Sequence, residues 1–178
     1  MNPSLPKFRY HPDPLATGAV EQSDVRCVCC GERRGYLYVG PVYGEHDLND
    51  SLCPWCIADG LAAKTLSASF ADDHTLLRAG VPSEVVEEVT LRTPGYSSWQ
   101  GEDWLVHCRD ACAFAGDATV SDVSQASEHT RMAWQEFYGL GTEEWEVITR
   151  DYVPRGAQAF YKFRCLHCAA ILLGWDCL

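Results

Sequence analysis

Four cysteine pairs limit what this chain can fold into. They are Cys27 with Cys30, Cys53 with Cys56, Cys108 with Cys112, and Cys165 with Cys168. A short turn between two thiols lets both sulfurs reach one ion, and a distant second pair closes a tetrahedral shell, as zinc requires. Cys27, Cys30, Cys53 and Cys56 form a C-x2-C-x22-C-x2-C set. Small zinc domains draw much of their folding energy from such a set. Cys108, Cys112, Cys165 and Cys168 form a second set, C-x3-C-x52-C-x2-C, whose long interval makes it the less specific signal. Cys29 could exchange with Cys30, and His107 or His167, beside predicted ligands, could replace a cysteine of the second set. Cys177 reads as an incidental thiol.

Two zinc ions, each with four thiolates, have closed shells, whereas a catalytic zinc keeps a position open for water and usually carries His or carboxylate ligands. Both sites therefore read as structural. The chain holds no GxSxG, no phosphate-binding Gly-rich loop and no HExxH. Redox use of the CxxC pairs would call for a βαβ context that the pattern lacks. No catalytic residue is assigned, and the balance is against an enzyme.

Composition places the cysteines. The start of the chain lacks the apolar core of a signal peptide, and no stretch approaches the roughly 18 apolar residues of a membrane span. A reducing cytoplasm, where paired thiols bind metal rather than form disulfides, is the expected setting. The 178 residues include 14 Lys and Arg against 25 Asp and Glu, a formal net charge of −11. Filled tetrathiolate sites would add about −2 each. Such a surface repels bare nucleic acid, which needs clustered basic residues, and suits a basic protein partner. Residues 117–151 are especially acidic and are the candidate partner surface.

Along the chain, residues 1–25 read as an extended, proline-rich arm whose aromatics pack on the body. Residues 26–66 form the first zinc module, with a strand candidate in Gly35–Tyr43 and a helix from Pro54 to Leu66. Residues 67–103 are a helical connection: a short helix to Leu77, a second from Ser83 with Val85, Val86 and Val89 inward, and a turn at Thr93-Pro94-Gly95-Tyr96. Residues 104–178 form the second module, with a strand Trp104–His107 and an acidic helical insertion. That insertion has one helix carrying Met132, Trp134 and Phe137 and another from Thr142. A hairpin, Ala159–Arg164 and Ile171–Trp175 around Cys165–Cys168, ends the module. The expected fold is α+β: one compact unit, 1–178, small and zinc-stabilised, with two four-cysteine zinc-ribbon-like modules and intervening helices.

Several runs resemble the CbrC family of bacterial proteins. They are Leu5-Pro6-Lys7-Phe8 with Arg9–Leu15, Gly35–Tyr43, Leu52–Gly60, Thr93–Tyr96, Trp104, His107-Cys108, Asp110, Cys112, Phe114, Gly116 and Phe163–Cys168. Cys53-Pro54-Trp55-Cys56-Ile57-Ala58-Asp59-Gly60 is the most specific. The resemblance covers nearly the whole chain and implies a small cytoplasmic protein linked to tolerance of colicin E2, a nuclease toxin. Ala169, after Cys168, departs from the glycine frequent in zinc knuckles. The expectation is a zinc-stabilised protein-interaction factor giving tolerance or immunity to a basic toxin, or else an adaptor or regulator of an endogenous partner.

Overall fold

The computed structural model describes residues 4–45 and 47–177. The first three residues of the predicted arm and the last residue of the second module lie outside them. The chain is mixed α/β. Strands β1 (Val20–Gln22) and β2 (Tyr36–Tyr38) pair antiparallel, Val20 opposite Tyr38. β2 is shorter than the predicted run because Gly40-Pro41 turns the chain, and the Tyr38 hydroxyl donates back to the Pro41 carbonyl at 2.7 Å.

The predicted Pro54–Leu66 helix is two: α1 (Pro54–Ala58) and α2 (Leu61–Leu66). Asp59 separates them, its side chain accepting the Leu61 amide at 2.9 Å and so starting the second. Helix α3 (His74–Arg78) begins where the Asp72 side chain takes the His74 amide at 2.7 Å. Helix α4 (Ser83–Arg92) buries Val86 and Val89, with Val85 half-buried. The alternation of these valines with Glu84, Glu87 and Glu88 gives the single apolar stripe that packs inward.

A two-residue hairpin, β3 (Val106–His107) and β4 (Asp110–Ala111), leads into β5 (Ala113–Asp117). Strand β5 lies beside β6 (Gln158–Arg164), which pairs along its length with β7 (Ile171–Cys177). Between β5 and β6 run three helices: α5 (Val120–Ser124), α6 (Glu128–Tyr138) and α7 (Thr142–Thr149). Thr119 caps α5 and Ser127 caps α6, each accepting the amide three residues on.

The β5-β6-β7 sheet is buried on both faces, by period-two alternation. Ala159, Tyr161, Phe163 and Leu172 face one core with Trp104, Tyr96 and Phe114. Phe160 and Leu173 face another with Trp134, Trp145 and Tyr152, under the three helices. A third core, built from Phe8, Val20, Tyr38, Leu52, Ile57 and Phe70, surrounds Cys27, Cys53 and Cys56. Phe8 and Tyr10 bind the arm to the body: Phe8 enters this last core and Tyr10 the first. No helix among the described residues is long and apolar enough to cross a membrane.

Candidate metal centres

Two groups of ligand atoms converge, each with all atoms within 4.8 Å of one another. The first unites Cys27, Cys30, Cys53 and Cys56, as the spacing predicts. Cys27 and Cys30 lie in the turn between β1 and β2, with the Cys27 amide on the Glu32 carbonyl at 2.9 Å and the Gly31 amide on the Cys27 carbonyl at 2.8 Å. Gly31 sits at φ +73°, where a Cβ is unfavourable. Cys53 precedes α1 and Cys56 lies in its first turn, with Pro54 at the opening position. The sulfurs are 3.8 Å apart for Cys27–Cys56, 3.6 Å for Cys53–Cys56 and 3.9 Å for Cys30–Cys53. A tetrahedron with metal–sulfur bonds of about 2.3 Å has edges of about 3.8 Å, so these thiols fit one ion without rearrangement.

Electrostatics favour a single thiolate there. A hydrogen bond from the Cys53 thiol, the largest influence, helps lower the Cys27 thiol to about 4. The neighbours are pushed up: Cys53 chiefly by its bond to Cys27, and Cys56 chiefly by burial. One thiolate is thus ready, and a cation would be needed to hold the rest deprotonated. The Arg34 guanidinium stacks on Trp55 at 5.5 Å. Partial desolvation works against its charge, but attraction to Cys53 and Cys30 outweighs this, making it a counter-ion to the cluster. Cys29 stays outside the group, half-buried, its sulfur 3.6 Å from the Thr65 hydroxyl.

The second group is His107, Cys108, Cys165 and Cys168. It differs from the predicted set at one position: Cys112 is absent from it and His107 is present. Cys108 and Arg109 occupy the hairpin tip at φ +52° and +61°, the geometry of a tight turn that reverses the chain at once. The return strand carries Cys112 back into the core, fully buried, with its amide on the Leu105 carbonyl and its carbonyl accepting from the Trp104 indole, both at 2.9 Å. Burial pushes the Cys112 thiol up, as suits an inert core thiol. His107, at the end of β3, instead brings Nδ1 to 3.2 Å from the Cys108 sulfur and 3.4 Å from the Cys168 sulfur. Cys108 and Cys168 are 3.9 Å apart. The sulfur–nitrogen edge of a mixed tetrahedron is about 3.6 Å, so the group fits a three-sulfur, one-nitrogen ion.

Cys165–Cys168 repeats the first turn: the Cys165 amide bonds the Ala170 carbonyl at 2.8 Å and the Ala169 amide bonds the Cys165 carbonyl at 3.1 Å. Ala169 takes the position of Gly31, at φ +60°. Burial raises the Cys165 thiol, but the amides of Cys168 and His167, with the His107 and Cys168 side chains, bring it down to about 6. His167 points away from the group, and its Nε2 donates to Asp110 at 2.8 Å. Asp110 also accepts from Arg9 at 2.7 Å and Tyr10 at 2.8 Å, which clamps the arm to both halves of the second centre. Burial would raise the Asp110 carboxyl, yet these donors hold it below the usual carboxylate range. The two centres differ in access. Cys27, Cys53 and Cys56 are buried, whereas Cys108 and Cys168 are exposed.

A small mixed α/β protein with two thiol-rich ligand groups that fit metal is the class these features define. The sequence model of an uncharacterised protein family, UPF0167, matches residues 5–177, and the chain belongs to that family. It is 51% identical over 175 residues to the UPF0167 protein PA1536 of Pseudomonas aeruginosa, covering 94% of each chain. It is 44% identical over 173 residues to the UPF0167 protein Mb2317 of Mycobacterium bovis and likewise to MT2352 of Mycobacterium tuberculosis, covering 94% of this chain and 91% of theirs. No solved structure matches. These findings correct the resemblance to the CbrC family: the matching family and these relatives all carry the UPF0167 designation, and the colicin link implied by that resemblance falls with it.

Proposed function

We propose that the protein is a zinc-stabilised binding protein of the cytoplasm, with both ions structural and a basic endogenous protein as its partner. Four protein ligands at each centre would leave a bound ion no open position for water, which supports a structural role over a catalytic one. Zinc suits sulfur-rich tetrahedra of this size, and the strand–turn–strand around Cys165–Cys168 is ribbon-like in form.

The outer face of α6 and α7 carries the partner reading. Glu128, Glu136, Glu143 and Glu146 are exposed there, together with Met132 at 60% and Val147 at 64%. Apolar side chains left in water among carboxylates suit a partner that is basic and partly apolar. Relatives 44–51% identical in bacteria as different as Pseudomonas and Mycobacterium support a partner common to such cells. The test is in-cell crosslinking of the metal-loaded full chain, alongside a Glu143→Lys, Glu146→Lys variant. A basic protein crosslinked by the parent and lost from the variant is expected. A crosslinking pattern unchanged by the charge reversal overturns the reading.

A further inference from the structure

The two thiol groups differ in how much of them solvent reaches. In the first, Cys27, Cys53 and Cys56 are each 1% exposed and Cys30 is half-buried. The Cys27 sulfur also accepts the Cys53 amide at 3.3 Å. In the second, Cys165 is buried, and its sulfur accepts the His167 amide at 3.4 Å. Cys108 and Cys168 are exposed, with their sulfurs 3.9 Å apart. They stand at two chain reversals, Cys108 at the tip between β3 and β4 and Cys168 in the turn between β6 and β7.

A bound cation holds its cysteines as thiolates, the form that oxidants attack, and among thiolates access decides which reacts. The first group offers an oxidant no exposed pair, since Cys30 has the buried Cys53 sulfur as its neighbour at 3.9 Å. The second group offers one. A disulfide is about 2.05 Å long, so the Cys108 and Cys168 sulfurs, 3.9 Å apart, need close by only about 2 Å, a movement of two turn tips and not of the core. Their joining leaves His107 and Cys165 as the remaining ligands of the group, too few to hold a tetrahedral ion.

We infer that Cys108 and Cys168 form a peroxide-sensitive switch, which ejects the second ion while the first stays bound. The inference rests on the reading of both groups as zinc centres and adds regulation to the second. One exposed thiolate attacks the peroxide O–O bond, which breaks; the sulfur gives up two electrons, becomes a sulfenic acid, and hydroxide leaves. The other thiolate then attacks that sulfur, the S–S bond forms and a second hydroxide leaves. Two protons from solvent turn the hydroxides into water, and zinc departs as the divalent ion. The disulfide joins positions 60 apart, so the hairpin tip stays tied to the terminal turn once the ion has gone. A thiol reductant with zinc present reverses the change.

The test treats the zinc-loaded full chain with hydrogen peroxide, alongside a Cys29→Ser, Cys177→Ser variant that lacks the two half-buried thiols outside the groups. Zinc content and zinc-edge X-ray absorption are read before and after, and peptide mass mapping locates the disulfide. One zinc should leave at least about tenfold faster than the other. The ion that remains should carry four sulfurs and no nitrogen, the disulfide should join Cys108 to Cys168, and reduction with zinc present should restore the second ion. Release of neither ion, release of both together, nitrogen on the ion that remains, or a disulfide anywhere other than Cys108–Cys168 overturns the inference and leaves the zinc assignment standing. Fewer than two zincs before peroxide overturns the zinc assignment, and the inference with it.

Discussion

Removing His107 and removing Cys112 should have opposite consequences for metal and for packing. The spacing C-x3-C assigns Cys112 to the ion, but the hairpin tip at Cys108-Arg109 leaves His107, not Cys112, beside the sulfurs of Cys108, Cys165 and Cys168. Structural zinc in small domains is bound with about 10–16 kcal/mol, so one of four ligands accounts for about 3 kcal/mol, or ~100-fold in affinity. His107→Ala should therefore keep the fold under zinc excess but release the second ion to a chelator at ~100-fold lower chelator strength. Cys112→Ala removes one fully buried sulfur from the core around Trp104 and Phe163, a loss of about 1–2 kcal/mol of stability, with both ions retained. Elemental analysis after graded chelation, paired with urea unfolding, separates the two. One ion lost from Cys112→Ala and two retained in His107→Ala would refute the assignment.

Other perturbations probe separate parts of the fold. His11 is buried, with its ring nitrogens 2.8 Å from the Pro94 carbonyl and 2.6 Å from the Thr17 hydroxyl, and burial lowers it from 6.5 to about 4. Between those values the unfolded chain binds the extra proton, so stability falls as pH drops from about 6.5 and has lost about 3 kcal/mol near pH 4. A His11 ring signal that titrates by NMR near 6.5 in the folded protein would contradict this. Gly95→Ala would place a Cβ 1.9 Å from the Phe70 carbonyl oxygen, and should cost about 3 kcal/mol or more, seen as a large fall in the urea midpoint. A midpoint like the parent's would show that the loop yields freely. Gly31→Ala should destabilise by about 1 kcal/mol and Ala169→Gly should be neutral or stabilise by less than about 1 kcal/mol, because the two positions share one left-handed conformation. Thermal unfolding with both ions bound reads the pair; a stabilised Gly31→Ala would be the contrary result.

Local patterns in the chain made much of this legible. The convergence of Cys27, Cys30, Cys53 and Cys56 follows from spacing alone because each pair closes within one turn, either Gly31's or the opening turn of α1. The stripe of α4 and the terminal hairpin follow from period and from the alternation of Phe160, Tyr161 and Phe163. Spacing differs from the second converging group at one residue because it says nothing about strand direction. Two consecutive left-handed residues, neither of them glycine, reverse the chain at Cys108-Arg109, and no composition signal marks that turn. The same blind spot hides β5, whose Ala113–Asp117 run is short and rich in small residues and is held by pairing with β6. The Asp110 clamp, which joins Arg9, Tyr10 and His167 across about a hundred positions or more than fifty, is tertiary and leaves no local trace.

X-ray absorption at the zinc edge, on protein purified with its metal, tests the two-centre account most directly. With Cys27, Cys30, Cys53 and Cys56 on one ion and His107, Cys108, Cys165 and Cys168 on the other, two zincs per chain should average about 3.5 sulfurs at about 2.3 Å and about 0.5 nitrogen at about 2.0 Å. One zinc per chain, an oxygen ligand in the shell, or four sulfurs on every ion would contradict it.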